Sequence, residues 1–272
     1  MSHKEFSLGL NGATIVRASL EAGLTAAREA GFSFYEPRIP TLADCEERGC
    51  RKDVLDSLSD AGLSWLPLNA LEGLFELAPD RLLARAEEIF SLAEQFNVRQ
   101  VIIVPGKGRP SLSAAQELLA EISVLGSKHG VSLLYEFIGF AEHAFPSLGE
   151  ARAVASGAGL PLVLDTFHLA VGCTDPGQIA SLPTEAIGLV HLSDALTAGK
   201  QVAEITDSDR VLPGEGGLPL AGYVKAIVDT GYAGPFSVEV FHPKYGLGEP
   251  EMVAQDAFRR ASQLLNEVAK EV

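Results

Sequence analysis

Glu136 in VSLLYEF, Asp165 in LVLDTFH, His191 in IGLVHLSD and Glu239 in FSVEVF each stand toward the carboxyl end of a β-rich run that a helical pattern follows. Three carboxylates and one imidazole form a hard donor set. It suits Mn²⁺ or Mg²⁺, with Co²⁺ or Zn²⁺ as alternatives, better than it suits a thiolate-bound zinc. Taken singly, a glutamate at a strand end is more often a rim ion-pair partner or a helix cap, and a lone histidine more often a satisfied core residue. Convergence of four such residues from the last four strands on one end of a sheet favours a mononuclear metal site with Glu136, Asp165, His191 and Glu239 as ligands.

Other polar residues recur at the same level of the chain. Glu36 and Arg38 alternate in YEPR, so on one strand both face the same side, and a charged pair inside a sheet is costly unless it is used or paired. Asn69 closes the third β-rich run and is expected to face substrate with them. Lys107 lies in GKGR directly after the fourth run, where glycines and cations could hold a phosphate or carboxylate, or form a solvated turn. Asp194 either hydrogen-bonds a ligand or substrate, or caps the following loop. Trp65, Phe75 and Phe140 offer apolar walls for a sugar face, or simple packing. His168 follows Asp165 by three residues, so it reaches the same side only if the strand ends there, and we expect that ending.

The elements that must position these groups alternate eight times. Strand candidates begin at Phe6, Phe32, Leu63, Gln100, Val131, Leu160, Ile187 and Gly234, and between them apolar residues recur at helical spacing, as in Leu82, Ala86, Ile89, Phe90 and Ala93. AREAGF, SDAGL, SKHGV and VDTGY repeat one grammar, a glycine just past a helix and just before a strand. Eight such units predict an α/β fold closed as a (β/α)8 barrel, a single domain over residues 1–272. The longest irregular stretch, Ala195 to Pro219, follows strand seven, where a functional loop belongs.

A net charge of −15 argues against a surface that tracks nucleic-acid backbones. With 47% hydrophobic and 21% charged residues the chain can fill a large core. Cys45, Cys50 and Cys173 form no CxxC pair and are odd in number, so reduced thiols and a cytoplasmic location are expected. The amino terminus reads as the approach to a strand rather than a secretory signal, and no apolar run suggests a membrane partner. A homo-oligomer is left open.

With these residues in view, the chain resembles the xylose isomerase-like TIM barrels, in particular the sugar phosphate isomerases and epimerases that include ketose 3-epimerases and inosose dehydratases. YEF at Glu136, D-x-x-H from Asp165 to His168, H-x-S-D from His191 to Asp194, PGEG from Pro213 to Gly216 and VEVF around Glu239 carry the resemblance. It implies that Glu136, Asp165, His191 and Glu239 bind one divalent metal, that Glu136 and Glu239 also transfer protons, and that His168 donates to a substrate oxygen. Arg210 stands where the family often has a cation near the substrate. The arginine that ketose 3-epimerases carry soon after the strand-seven histidine is Thr197 here, so their sugar specificity does not carry over. Type IV apurinic endonucleases share several positions, but their extra metal-binding histidines are replaced by Asn69, Pro105, Gly106 and Val211. The implied activity is metal-assisted proton abstraction beside the carbonyl of a sugar, sugar phosphate or polyol, giving isomerisation or epimerisation. An inosose dehydratase-like lyase and a non-catalytic sugar-binding or metal-binding barrel are the alternatives.

Overall fold

Runs of β-branched and aromatic residues form parallel strands that curl into one sheet. The computed structural model describes residues 6–201 and 204–271. The barrel strands are β1 (Leu8–Asn11), β2 (Phe34–Glu36), β3 (Ser64–Trp65), β4 (Leu68–Leu74), β5 (Gln100–Pro105), β6 (Ser132–Glu136), β7 (Leu162–Asp165), β8 (Ile187–Leu192) and β11 (Phe236–Val238). Their order is β3-β2-β1-β11-β8-β7-β6-β5-β4, and a parallel bridge from Arg38 to Asn69 closes the two ends. The result is the eight-unit barrel read from the sequence, with its third strand in two pieces. Pro67 has no N–H to pair. β3 pairs with β2 and β4 with β5, while Asn69 beyond Pro67 keeps the contact to the β2 side. A short antiparallel pair, β9 (Asp194–Ala195) and β10 (Arg210–Val211), organises the long loop after β8.

Two apolar layers hold this frame. Leu66, Ala70, Ile102, Leu134, Val163 and Leu189 fill the barrel interior below the site, and burying each larger side chain contributes roughly 1.5–3 kcal/mol. Outside, helices press their apolar stripes on the sheet. Among them α4 (Pro79–Gln95) buries Leu82, Ala86, Ile89, Phe90 and Ala93, the residues of the helical pattern. The helix-ending glycines behave as the sequence grammar requires, as at Gly31 (φ 97°) after α1 (Leu20–Ala30) and at Gly130 (φ 65°). The cysteine expectation is corrected. Helix α2 (Ile39–Arg48) ends at the left-handed Gly49, which turns the chain so that the Cys50 N–H donates to the Cys45 carbonyl, and the two cysteines are joined as a disulfide with Cα atoms 5.2 Å apart. Cys173 is a free, exposed thiol. No helix among the described residues is long and apolar enough to cross a membrane.

Candidate functional site

Parallel pairing sets the site's level. Asp165 ends β7 directly beside His191 on β8, Glu136 ends β6, and Glu239 immediately follows β11, so all four groups reach the carboxyl-end mouth of the barrel. Each offers one donor atom, and those atoms lie within 4.8 Å of one another in a fully buried group. His191 is oriented from behind. Its Nε2 lies 3.0 and 3.1 Å from the two oxygens of Glu36, which can only accept from it, so Nε2 carries a proton. Its Nδ1 faces the centre, 3.2 Å from Glu239 Oε2 and 3.5 Å from Glu136 Oε1, with no hydrogen bond made. A buried imidazole nitrogen without a partner, set among carboxylates that repel one another, is what a divalent cation would complete. The residues therefore fit such an ion.

Electrostatics divides the two glutamates. Burial, with the charges of Glu239 and Asp165, pushes the Glu136 carboxyl up to about 7 against the pull of His191. Burial would raise Glu239 too, but His191, Arg210 and Asn69 outweigh it and hold that carboxylate below its ordinary range. Asn11 Nδ2 and Asn69 Nδ2 also both donate to Glu239 Oε1 at 2.9 Å. Burial opposes protonation of His191, yet Glu239 and Glu36 drive its pKa well above the ordinary histidine value.

His168 lies in α7 (Thr166–Val171), which begins as soon as β7 ends, so the expected strand ending occurs and the ring turns into the mouth. Arg210 Nη2 donates to His168 Nε2 at 3.2 Å. A guanidinium only donates, so the neutral ring carries its proton on Nδ1, which has no partner. Burial and then the charge of Arg210 push the pKa of His168 down to about 3. Arg210 itself is 1% exposed; it bonds Asp165 and Ser193 through Nη1 and Asp207 through Nε, and it stacks over Phe167 at 4.1 Å.

A cavity of about 190 Å³ opens on these groups, bounded by Asn69, Glu136, His168, Arg210, Glu239 and Phe241. Phe140, Val104 and Ile138 give it an apolar side. Of the residues expected to face substrate, Asn69, Phe140, His168 and Arg210 reach the cavity, while Glu36, Arg38, Lys107, Asp194, Trp65 and Phe75 are not among those that line it. Glu36 stays behind His191. Arg38 follows the end of β2 and becomes the N-cap of α2, where its carbonyl accepts from Thr41 and Leu42. Lys107 points outward toward Glu142 with its side chain 61% exposed, and Arg109 donates to the carbonyls of Ala141 and His143, so GKGR forms a turn that ties down the loop after β6. Asp194 accepts from the backbone N–H groups of Ala195, Gly214, Gly216 and Leu218, and so caps the loop that carries PGEG. Trp65 Nε1 donates to the Phe96 carbonyl and Phe75 packs on Phe145, both away from the cavity. Sequence reasoning passed over Asn11, Ser193, Asp207 and Phe241. Only Asn11 carried a usable signal, a polar residue ending a strand in a barrel.

Known proteins are similar to this chain in sequence and in fold. A 3-dehydroshikimate dehydratase of Pseudomonas aeruginosa is 30% identical over 89% of this chain and 39% of that protein, so the chain spans less than half of that relative. An inosose isomerase of Halalkalibacterium halodurans is 26% identical over 75% of this chain and 74% of the relative. In fold, the crystal structure of the IOLI protein with a bound zinc atom superposes with a TM-score of 0.88 at 21% identity, covering 97% of this chain and 99% of that one. Relatives of this chain are thus enzymes of the isomerase and dehydratase type. The family profile described as xylose isomerase-like TIM barrel matches residues 24–264, and the chain belongs to that family.

Proposed function

We propose that the protein is a divalent-metal-dependent sugar isomerase or epimerase that moves a proton on the carbon beside a carbonyl. One observation carries this reading. Two buried carboxylates, Glu136 at 3.5 Å and Glu239 at 3.2 Å, meet at His191 Nδ1 and line one cavity with His168 and Arg210. Glu136, Asp165, His191 and Glu239 would hold the ion, which when bound supplies electrophilic polarisation of a carbonyl oxygen.

The side chains divide the remaining work. Glu136, which lacks the paired amide donors of Glu239, takes the proton from carbon as base. His168 donates its Nδ1 proton in a hydrogen bond to a substrate oxygen, where negative charge develops. Glu239 has Oε1 occupied by Asn11 and Asn69, so Oε2 is the oxygen that faces the centre; for proton return it takes up a proton from solvent and delivers it to carbon, while Glu136 releases the one it took to solvent. Return to the same carbon gives epimerisation, and return to its neighbour gives aldose–ketose isomerisation.

A second reading, loss of a β-hydroxyl to give an enone, is favoured by the dehydratase relative at 30% identity. The test is deuterium incorporation from D₂O beside the carbonyl of a polyhydroxy ketone, with Glu136→Gln and Glu239→Gln each lowering turnover by roughly 10² or more. Exchange with near-normal turnover in a metal-restored glutamine variant refutes the paired-glutamate reading. An enone absorbance points to the lyase, and binding without any exchange points to a non-catalytic barrel.

A further inference from the structure

The proposed chemistry leaves open which kind of polyhydroxy compound enters, and the cavity's charges bear on that question. Among the described residues that line it, Arg210 is the sole lysine or arginine. Four of its five N–H groups are directed within the protein, to Asp165 and Ser193 from Nη1, to Asp207 from Nε at 2.9 Å and to His168 from Nη2. Its faces are covered as well, by Phe167 at 4.1 Å and Phe241 at 5.0 Å. The two cations that the sequence offered for an anion, Lys107 and Arg109, bind Glu142 and backbone carbonyls outside the cavity. Glu72 and Asp207 add two carboxylates to the lining.

The unmet polar atoms point the same way. His168 Nδ1 and His143 Nδ1, both on residues lining the cavity, are buried without a partner. A hydroxyl accepts from the His168 Nδ1–H without adding charge, whereas a carboxylate or phosphate accepting there would bring its charge against Glu72 and Asp207. The volume of about 190 Å³ is below that of drug-sized sites and suits one small ring or short polyol, with Phe140 and Phe241 for its C–H faces.

Building on the proposed enolisation, we infer that this site takes an uncharged polyhydroxy ketone and rejects carboxylated and phosphorylated analogues, with Asp207 setting the choice by occupying the outward N–H of Arg210. Equilibrium binding to the metal-loaded protein tests this independently of turnover. The neutral probes are myo-inositol, xylitol and fructose; the anionic ones are shikimate and myo-inositol 1-phosphate. The best neutral probe should bind at least about ten times more tightly than either anion. An anion that binds as tightly as the best neutral probe, or failure of every neutral probe to bind, overturns the inference.

Asp207→Ala frees the Arg210 Nε–H and removes one negative charge from the lining. It should shift the ratio of shikimate to best-neutral affinity toward shikimate by about ten-fold, a change of ~1.4 kcal/mol. An unchanged ratio overturns the role of Asp207. A neutral polyhydroxy ketone such as fructose that binds without deuterium exchange sinks the enolising function and leaves this selectivity standing. Exchange into an anionic substrate does the reverse.

Discussion

Asn11 donates one hydrogen bond to Glu239 Oε1 and, through Oδ1, accepts the Ala13 N–H at 2.8 Å, so its two ends can be broken separately. Asn11→Asp keeps the acceptor for Ala13 but sets an oxygen 2.9 Å from Glu239 Oε1 in place of the donor. Losing a hydrogen bond to a buried charged group costs about 1.5–3 kcal/mol, and Asn69 still supports the same oxygen, so the lower half of that range applies first. Placing like charges together then adds to it, and one carboxyl of the pair must take up a proton to relieve the contact. Metal affinity should fall by about 10- to 100-fold, the usual scale for a group that positions a ligand. Isothermal titration with Mn²⁺ at neutral pH measures it, and circular dichroism checks that the barrel persists. Asn11→Ala, which lacks the repulsion, should fall less than Asn11→Asp. Equal metal affinity in wild type and Asn11→Asp would refute the idea that the amide holds Glu239 in place as an anion.

Purified protein should carry about one divalent ion per chain, removable by chelation without unfolding. His191→Ala should lose that ion, whereas His168→Ala should retain it and lose turnover; metal analysis of the two variants decides, and equal loss in both refutes the division of roles. Acid stability of the metal-free protein should also report on His168. Its native pKa near 3 lies below the ordinary 6.5, so between these values the unfolded chain binds a proton that the native one does not, and stability falls as pH drops. Glu136, raised from 4.5 to about 7, acts oppositely between those two values, so the His168 effect stands clear of it below pH 4.5. Urea unfolding from pH 4.5 toward 3 should show wild type losing up to about 1.4 kcal/mol per pH unit more than His168→Ala, and parallel curves would count against a neutral, buried ring.

The barrel was legible because each unit repeats the same physics, an apolar β-rich run, a helical stripe and a glycine stop. The four central residues were legible because a hard-ligand side chain at the end of such a run is costly there unless it is used. What lay beyond reach depended on single residues of register. Glu36 and Arg38 share an alternation pattern, but β2 stops at Glu36, so the Glu36 side chain enters the barrel while Arg38 becomes the N-cap residue of α2 through its backbone carbonyl. Pro67 split a strand that hydrophobicity alone read as continuous. Gly49 folded Cys50 back onto Cys45, a local turn that cysteine counting ignores.

The hardest distinction was between residues that meet the centre and residues that hold those in place. Asn11 and Glu36 end strands just as Glu136 and Asp165 do, Asn69 stands near the start of β4, and residue type does not separate these supports from the central residues. Contacts across the barrel do. Glu36 takes the proton of His191 Nε2 over a separation of 155 residues, and this bond, absent from any local pattern, decides which imidazole nitrogen faces the carboxylates. Glu36→Gln can donate its amide N–H to the ring or accept from it, so it no longer fixes that tautomer. If the second nitrogen is selected in this way, the variant should bind metal more weakly even though none of the four central side chains has changed.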